Sequence, residues 1–323
     1  MSIASPAPQR IVLTGSTGVL GSHILNELRK RPGTQVTAIH RKKADDLRDD
    51  DTVRHELIDF SRGSGLLSLF QRVQPTCVIH CAAEGLIFPQ LEWFRMVHFN
   101  VDFTLQLFEL ASASPGTHFI HVSTGLAYRS TGQPLRETDA MDNDHPYGAS
   151  KAAADILLRS AAIEFRTHLT ILRPFSFTGP GDSRTRLFPS LLRAAMEKQS
   201  LALSPGQQVR DFCSARDIAR AIVPAMDARP PLSRPAIYNL GSGRAVELRE
   251  LIIEIVNELK IPVKLDFGAR TYGTFEPMHL VADIATARRE LGWEPRHRVA
   301  HAVWQLSRES FAGLDLSEPR EFL

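Results

Sequence analysis

Apolar residues along this chain come in short unbroken runs that alternate with segments of helical periodicity. Arg10-Ile11-Val12-Leu13-Thr14-Gly15 predicts a buried strand ending at a glycine. From Gly18 to Lys30, Val19, Ile24, Leu25 and Leu28 recur at helical spacing until Pro32 stops the pattern. Strands are predicted at 36–39, 55–60 and 76–80, with a helix over 66–73 between the last two. A long apolar-faced helix follows over 93–113, then a strand at 119–122. A helix over 147–165 leads to a strand at 169–172, which Pro174 stops. Near-continuous apolar strands alternating with helices predict a parallel sheet covered on both faces. The fold class is therefore α/β, a doubly wound parallel sheet of Rossmann type.

Past Pro174 the rhythm changes. Gly179-Pro180-Gly181-Asp182 is rich in turn formers, a helix is predicted over 187–198, and later segments are shorter. The expected division is a dinucleotide-binding domain over 1–173 and a smaller C-terminal lobe over 174–323. Segments near 212–240 are expected to return to the main sheet, with a helix at 215–226 and a strand at 236–240.

Composition narrows the function. The chain has 323 residues, room for one large domain or two modest ones. A net charge of +2 gives no reason to invoke nucleic acid or a membrane surface. No apolar run reaches the ~18–20 residues of a membrane span. MSIASPAPQR lacks the apolar core of a signal peptide and reads as a disordered lead. The three cysteines, Cys77, Cys81 and Cys213, are too few and too odd for a disulfide framework. They fit a reducing cytoplasm. Cys77 and Cys81 read as small core residues, and no metal site is expected.

The strongest local chemistry is Thr14-Gly15-Ser16-Thr17-Gly18-Val19-Leu20-Gly21, a G-x-x-G-x-x-G turn between a strand and a helix. Such a turn lets the main chain approach a pyrophosphate, which rests on the helix N-terminus. The second strand ends in His40-Arg41-Lys42-Lys43. NAD sites place an acid there for the ribose 2′-hydroxyl. A base there favours NADP(H) over NAD(H), with Arg41 pairing the 2′-phosphate. Asp59, closing the third strand, is placed to touch the adenine edge. In His145-Pro146-Tyr147-Gly148-Ala149-Ser150-Lys151, Tyr147 and Lys151 stand four apart and share a helix face. Alone, that spacing is also an ordinary helix start.

Together these elements resemble the extended short-chain dehydrogenase/reductase family, in its nucleotide-sugar epimerase, dehydratase and reductase branch. The likeness runs from Arg10 to about Arg296. The glycine turn is similar to the family's phosphate loop. His80-Cys81-Ala82-Ala83 resembles its H-x-A-A, Asn100-Val101 its N-V, and Ser123-Thr124 its strand-five element. Tyr147-x-x-x-Lys151 resembles Y-x-x-x-K, and Leu172-Arg173-Pro174 with Gly179-Pro180-Gly181 resembles L-R-P…G-P-G. In the lobe, Arg210-Asp211-Phe212, Tyr238-Asn239-Leu240-Gly241 and Leu291-Gly292-Trp293-Glu294-Pro295 are similar to sugar-nucleotide members, although Ala215 replaces the usual Val.

The resemblance implies a catalytic set of Thr124, Tyr147 and Lys151. It implies a cofactor site of Gly15, Thr17, Gly18, Val19, Leu20, Gly21, Arg41, Asp59, Ala82, Asn100, Ser123 and Pro174, with Tyr147 and Lys151. Substrate contacts would come from Glu84, Thr124, Ser176 and Arg210, the arginine meeting a nucleotide phosphate. Lys151 and an oxidised nicotinamide would lower the Tyr147 pKa from its usual ~10. Tyr147 would then give a proton to a keto oxygen held by Thr124. Family dehydratases carry an Asp-Glu pair after that threonine; Gly125 and Leu126 stand here, which argues against dehydration. The expected activity is NADP-dependent reduction of a nucleotide-linked, 4-keto-6-deoxy sugar. The alternative is an NAD-dependent 4-epimerase, and behind it a non-catalytic dinucleotide sensor. Ser176 stands where the branch often has Asn. Glu84, beside an anionic substrate, would meet a sugar hydroxyl or amino group. A homodimer through the helices at 93–113 and 147–165 is expected by family analogy.

Overall fold

The structure is a computed structural model and describes residues 9–41, 47–58, 63–85, 92–142 and 144–323. Six strands run in chain order as far as Pro174: β1 (Gln9–Thr14), β2 (Thr34–His40), β3 (Val53–Leu57), β4 (Cys77–His80), β5 (His118–Val122) and β6 (His168–Pro174). A seventh, Ala236–Leu240, returns from the C-terminal half to pair with β6. All seven are parallel, and β1 lies between β4 and β2. From β1 the chain winds outward to β2 and β3, then crosses back to β4, β5 and β6. The crevice where the winding reverses lies above the ends of β1 and β4, where open α/β sheets hold ligands.

Both faces of this sheet are covered. Helix α1 (Val19–Arg29) and the helix Ala215–Arg220 pack with Ile11, Leu13, Val36 and Ile120 in one core. On the other face, α2 (Gly63–Val73) and the helices over 93–112 and 146–164 pack with Val12, Val78, Phe119 and Ile171. The lobe has a core of its own, built from Phe188, Leu191, Leu192, Leu251, Ile255, Val303 and Leu306.

Two helices expected to be continuous are broken. The segment over 93–113 divides into α3 (Trp93–Val97), a π-helical turn (His98–Asp102) and α4 (Phe103–Ser112). The Thr104 hydroxyl donates to the Asn100 carbonyl at 2.8 Å and competes with the regular ladder there. The segment over 215–226 divides at Ala221 into Ala215–Arg220 and Ile222–Ala228. Pro224 has no N–H to bond the Arg220 carbonyl, so one rung of a continuous helix is missing.

Candidate active site

A cleft of about 1080 Å³ opens above β1, β4, β5 and β6 and is closed on its far side by the lobe. Its floor begins at the glycine turn. Gly15 has φ +77°, and a Cβ there would stand 2.6 Å from the Ala82 nitrogen. A Cβ at Gly21 would stand 2.0 Å from the Gly15 carbonyl oxygen. The turn therefore folds only with glycine at both positions. α1 starts at once, with its N-terminus facing the cleft, which suits a pyrophosphate.

A buried chain of hydrogen bonds fixes the second wall. The Thr104 hydroxyl donates to the Asn100 carbonyl, so it accepts from His80 Nε2 (2.9 Å). His80 Nδ1 is then the acceptor, and Thr14 Oγ1 donates to it at 2.7 Å. The same Thr14 oxygen accepts from the Ala82 backbone N–H at 3.1 Å. Burial, then the Lys151 charge, holds the His80 pKa well below its ordinary value, which keeps this neutral tautomer. The ends of β1 and β4 are thus locked together under the cofactor crevice.

Helix α5 (Pro146–Glu164) carries the tyrosine and the lysine. Pro146 occupies its first turn, and the His145 side chain accepts from the Gly148 N–H at 3.4 Å. Gly148 lets the helix touch the short turn after β5: a Cβ would stand 2.0 Å from the Leu126 carbonyl oxygen. That approach brings Tyr147 beside Thr124. Two turns down the same face, Asp155 is fully buried and accepts from Arg173 Nε at 2.9 Å. Arg173 also donates to the Tyr128 hydroxyl at 2.5 Å. This buried pair ties α5 to β6.

Thr124 caps the turn Gly125–Ala127, its Oγ1 accepting from the Leu126 N–H at 3.2 Å. Its hydroxyl hydrogen is left to donate into the cleft. A Cβ at Gly125 would stand 2.8 Å from the Phe175 ring, so no carboxylate fits there. Lys151 is fully buried, and its Nζ has no hydrogen-bond partner among the described residues; nor has Ser123 Oγ. Burial lowers Lys151 to about 8, with Asp155 and Cys81 opposing.

Of the protein's own groups, burial raises the Tyr147 pKa most; the Cys81 thiol and Asp155 add to the rise and Arg186 opposes it, while the lowering expected from an oxidised nicotinamide belongs to the loaded site. The protein's own groups hold Tyr147 as the neutral phenol. A neutral phenol is a proton donor, the form that reduction of a ketone needs.

Most expected residues line the cleft: Gly15, Thr17, Gly18, Val19, Leu20 and Gly21 along the turn, then Arg41, Ala82, Ser123, Thr124, Tyr147 and Pro174, with Ser176 and Arg210 toward the lobe. Lys151 lies behind Tyr147. Asn100 is fully buried and does not line the cleft. Its amide accepts from the Glu84 N–H (2.9 Å) and donates to the Glu84 carbonyl (2.8 Å) and Ser150 Oγ (2.9 Å). The Glu84 carboxylate is held by Arg41 and Arg95. Asp59, Lys42 and Lys43 lie outside the described residues. Arg210 pairs with Glu276 and donates to its neighbour's carbonyl, Val209 O, at 2.9 Å.

Sequence reasoning missed several lining groups. Arg186 stacks on Phe177, 5.1 Å from the ring centroid, and bonds Asp182 at 3.2 Å. Arg95, Phe99, His145 and the segment Gly273–Pro277 also face the cleft. Only His145, next to the tyrosine, lies within a stretch already marked, that of Tyr147 and Lys151. The others stand in stretches without motif.

A dinucleotide fits this cradle. The glycine turn leaves room where any Cβ would collide, and Lys151 and Ser123 present buried polar atoms without partners among the described residues.

Comparison with known proteins agrees. Residues 11–241 match the NAD dependent epimerase/dehydratase family. The chain is 30% identical over 321 residues to a dTDP-6-deoxy-L-talose 4-dehydrogenase (NAD(P)(+)) of Kitasatospora kifunensis, covering 95% of this chain and 97% of that protein. It is 28% identical over 242 residues to a UDP-glucose 4-epimerase of Corynebacterium glutamicum, covering 68% and 71%. Its fold superposes with a TM-score of 0.84 on the UDP-glucuronic acid 4-epimerase of Bacillus cereus, at 23% identity over 94% of this chain and 99% of that one. The chain therefore belongs to the NAD dependent epimerase/dehydratase family, within the extended short-chain dehydrogenase/reductases, and is an NAD(P)-dependent enzyme.

Proposed function

We propose that this enzyme reduces the keto group of a nucleotide-linked sugar, a 4-keto-6-deoxy sugar, with NADP(H) preferred. The observation that carries this reading is Arg41 at the end of β2, where NAD sites place an acid, in a cleft that Tyr147 and Thr124 also line. The Kitasatospora relative, a 4-dehydrogenase named for NAD(P)(+), supports it. Thr124 donates its free hydroxyl hydrogen to the keto oxygen. Tyr147 gives that oxygen its proton as charge develops. Lys151, as a cation behind the phenol, stabilises the tyrosinate left after transfer. A reduced nicotinamide, when bound, would supply the hydride. Gly15, Thr17, Gly18, Val19, Leu20 and Gly21 would hold the pyrophosphate, Ala82, Ser123 and Pro174 would line the nicotinamide side, and Arg210 and Ser176 would meet the sugar diphosphate.

Purified protein is expected to oxidise NADPH in the presence of a dTDP-4-keto-6-deoxy sugar and to carry no bound nicotinamide. Tightly retained NAD with interconversion of UDP-glucose and UDP-galactose would overturn this reading. It would establish instead the 4-epimerase, which the Corynebacterium relative and a carboxylate at Arg41 favour.

We also read the enzyme as a cytoplasmic homodimer. The outward faces of α3 and α5 expose Trp93, Phe94, Val97, Ile156, Leu157 and Ile163, and Phe165 follows at the end of α5. The three thiols are free, and among the described residues no helix is long and apolar enough to cross a membrane. Sedimentation of Ile156→Asp/Phe165→Asp as a monomer, with the parent chain dimeric, is the expected result.

A further inference from the structure

The residue after Ala83 is acidic, and the chemistry above leaves it without a task. Glu84 is held twice. Asn100 grips its backbone N–H and carbonyl, and Asn100 is itself tied to α5 through Ser150. Its carboxylate, mostly buried, receives Arg95 Nε at 2.7 Å and Arg95 Nη2 at 3.0 Å. Arg41 Nη1 contacts the same carboxylate, and the Arg41 guanidinium lies over the Phe99 ring, 4.4 Å from its centroid. Arg95 has a second, exposed partner in Glu92 at 3.6 Å. Burial would raise the Glu84 carboxyl, but hydrogen bonds from Arg95 and then Arg41 outweigh it and hold the group ionised.

NAD sites put their carboxylate at the end of β2. This chain has His40-Arg41 there, and the carboxylate arrives from the end of β4, against the guanidinium. We propose that Glu84 is the cofactor-discriminating residue, an internal counter-ion that holds Arg41 and sets the balance between NADP(H) and NAD(H). The proposal rests on the reading of Arg41 as the 2′-phosphate partner. A 2′-phosphate must take Arg41 from Glu84 and then lie near a fixed like charge. A 2′-hydroxyl meets an acceptor without that repulsion. Two guanidiniums against Glu84 and the exposed Glu92 leave no net positive charge to meet a dianionic phosphate. Neutralising Glu84 leaves a net positive charge beside it.

The test is direct binding of NADPH and NADH to the full chain by fluorescence titration, with no sugar present. Glu84→Gln is expected to tighten NADPH relative to NADH by about fivefold or more, about 1 kcal/mol. Arg95→Gln, which leaves Glu84 wholly to Arg41, is expected to move the ratio the other way and serves if Glu84→Gln does not fold. Arg41→Ala is expected to weaken NADPH and spare NADH. An unchanged ratio, or one shifted toward NADH, in Glu84→Gln overturns the Glu84 assignment while a selective Arg41→Ala effect keeps Arg41. An Arg41→Ala protein that binds NADPH normally overturns both.

Discussion

The cleft is prepared for anions in two different ways. At Gly15–Gly21 the site is made of main chain: a helix N-terminus and a space that a single methyl group would fill. At Arg41 and Arg210 it is made of side chains, each arginine already paired with a carboxylate, Glu84 and Glu276. A backbone cradle is all or none, because its shape depends on close contacts that cannot relax. An ion pair at the cleft edge can change partners, so it grades affinity and selectivity without deciding the fold.

Tyr147 stands between these two ends, and its loss should give the largest effect. Tyr147→Phe is expected to lower turnover about 10³-fold with nicotinamide affinity nearly unchanged, measured by steady-state kinetics and by titration. Unchanged turnover would remove Tyr147 from the chemistry. Gly21→Ala tests the cradle. Its Cβ would collide with the Gly15 carbonyl, so NADPH affinity should fall roughly 100-fold while a folded circular-dichroism spectrum persists. A tenfold-or-smaller loss would show that the loop relaxes after all.

Lys151 tests what burial costs when no ion pair offsets it. Its folded pKa, about 8, lies below the ordinary value of 10.5. Below pH 8 the folded state bears the full penalty. Between about 8 and 10.5 the unfolded chain binds the extra proton, so stability rises with pH. Lys151→Met is therefore expected to be more stable than the parent at pH 7, by about 1–3 kcal/mol, and inactive. The gap should close as pH rises from 8 to 10.5 in urea unfolding; a gap independent of pH would sink the argument. The smallest effect belongs to the exchangeable end. Arg210→Ala should raise KM for the nucleotide sugar about tenfold and leave NADPH binding alone, because Glu276 remains partly exposed to water. Equal loss for both ligands would break the division between the two ends.

Much of the first half was legible in the sequence. The strands at β1, β4, β5 and β6 are apolar runs, and the glycine turn follows the first of them directly. The Tyr147–Lys151 pair needed only helical spacing. Less was legible where the backbone leaves its regular form. The π-helical turn at His98–Asp102 depends on one threonine hydroxyl competing with the helix ladder. The spacing shows Lys151 four residues from Tyr147, but only the fold shows how deeply the phenol is buried. The partners of Glu84 were not legible, because Arg41 is distant and Arg95 unmarked in the chain.

The sequence by itself determined the alternation of strands and helices, the glycine cradle and the shared face of Tyr147 and Lys151. Each depends on residues within a few positions of one another, where backbone geometry leaves few choices. Only the tertiary structure decided the partners. It joined Arg41 to Glu84, Arg210 to Glu276 and Asp155 to Arg173, and it set α5 against the turn after β5 through Gly148. These pairs join residues far apart in the chain; the Arg41–Glu84 pair follows from the order β3-β2-β1-β4-β5-β6, and no local spacing encodes any of them.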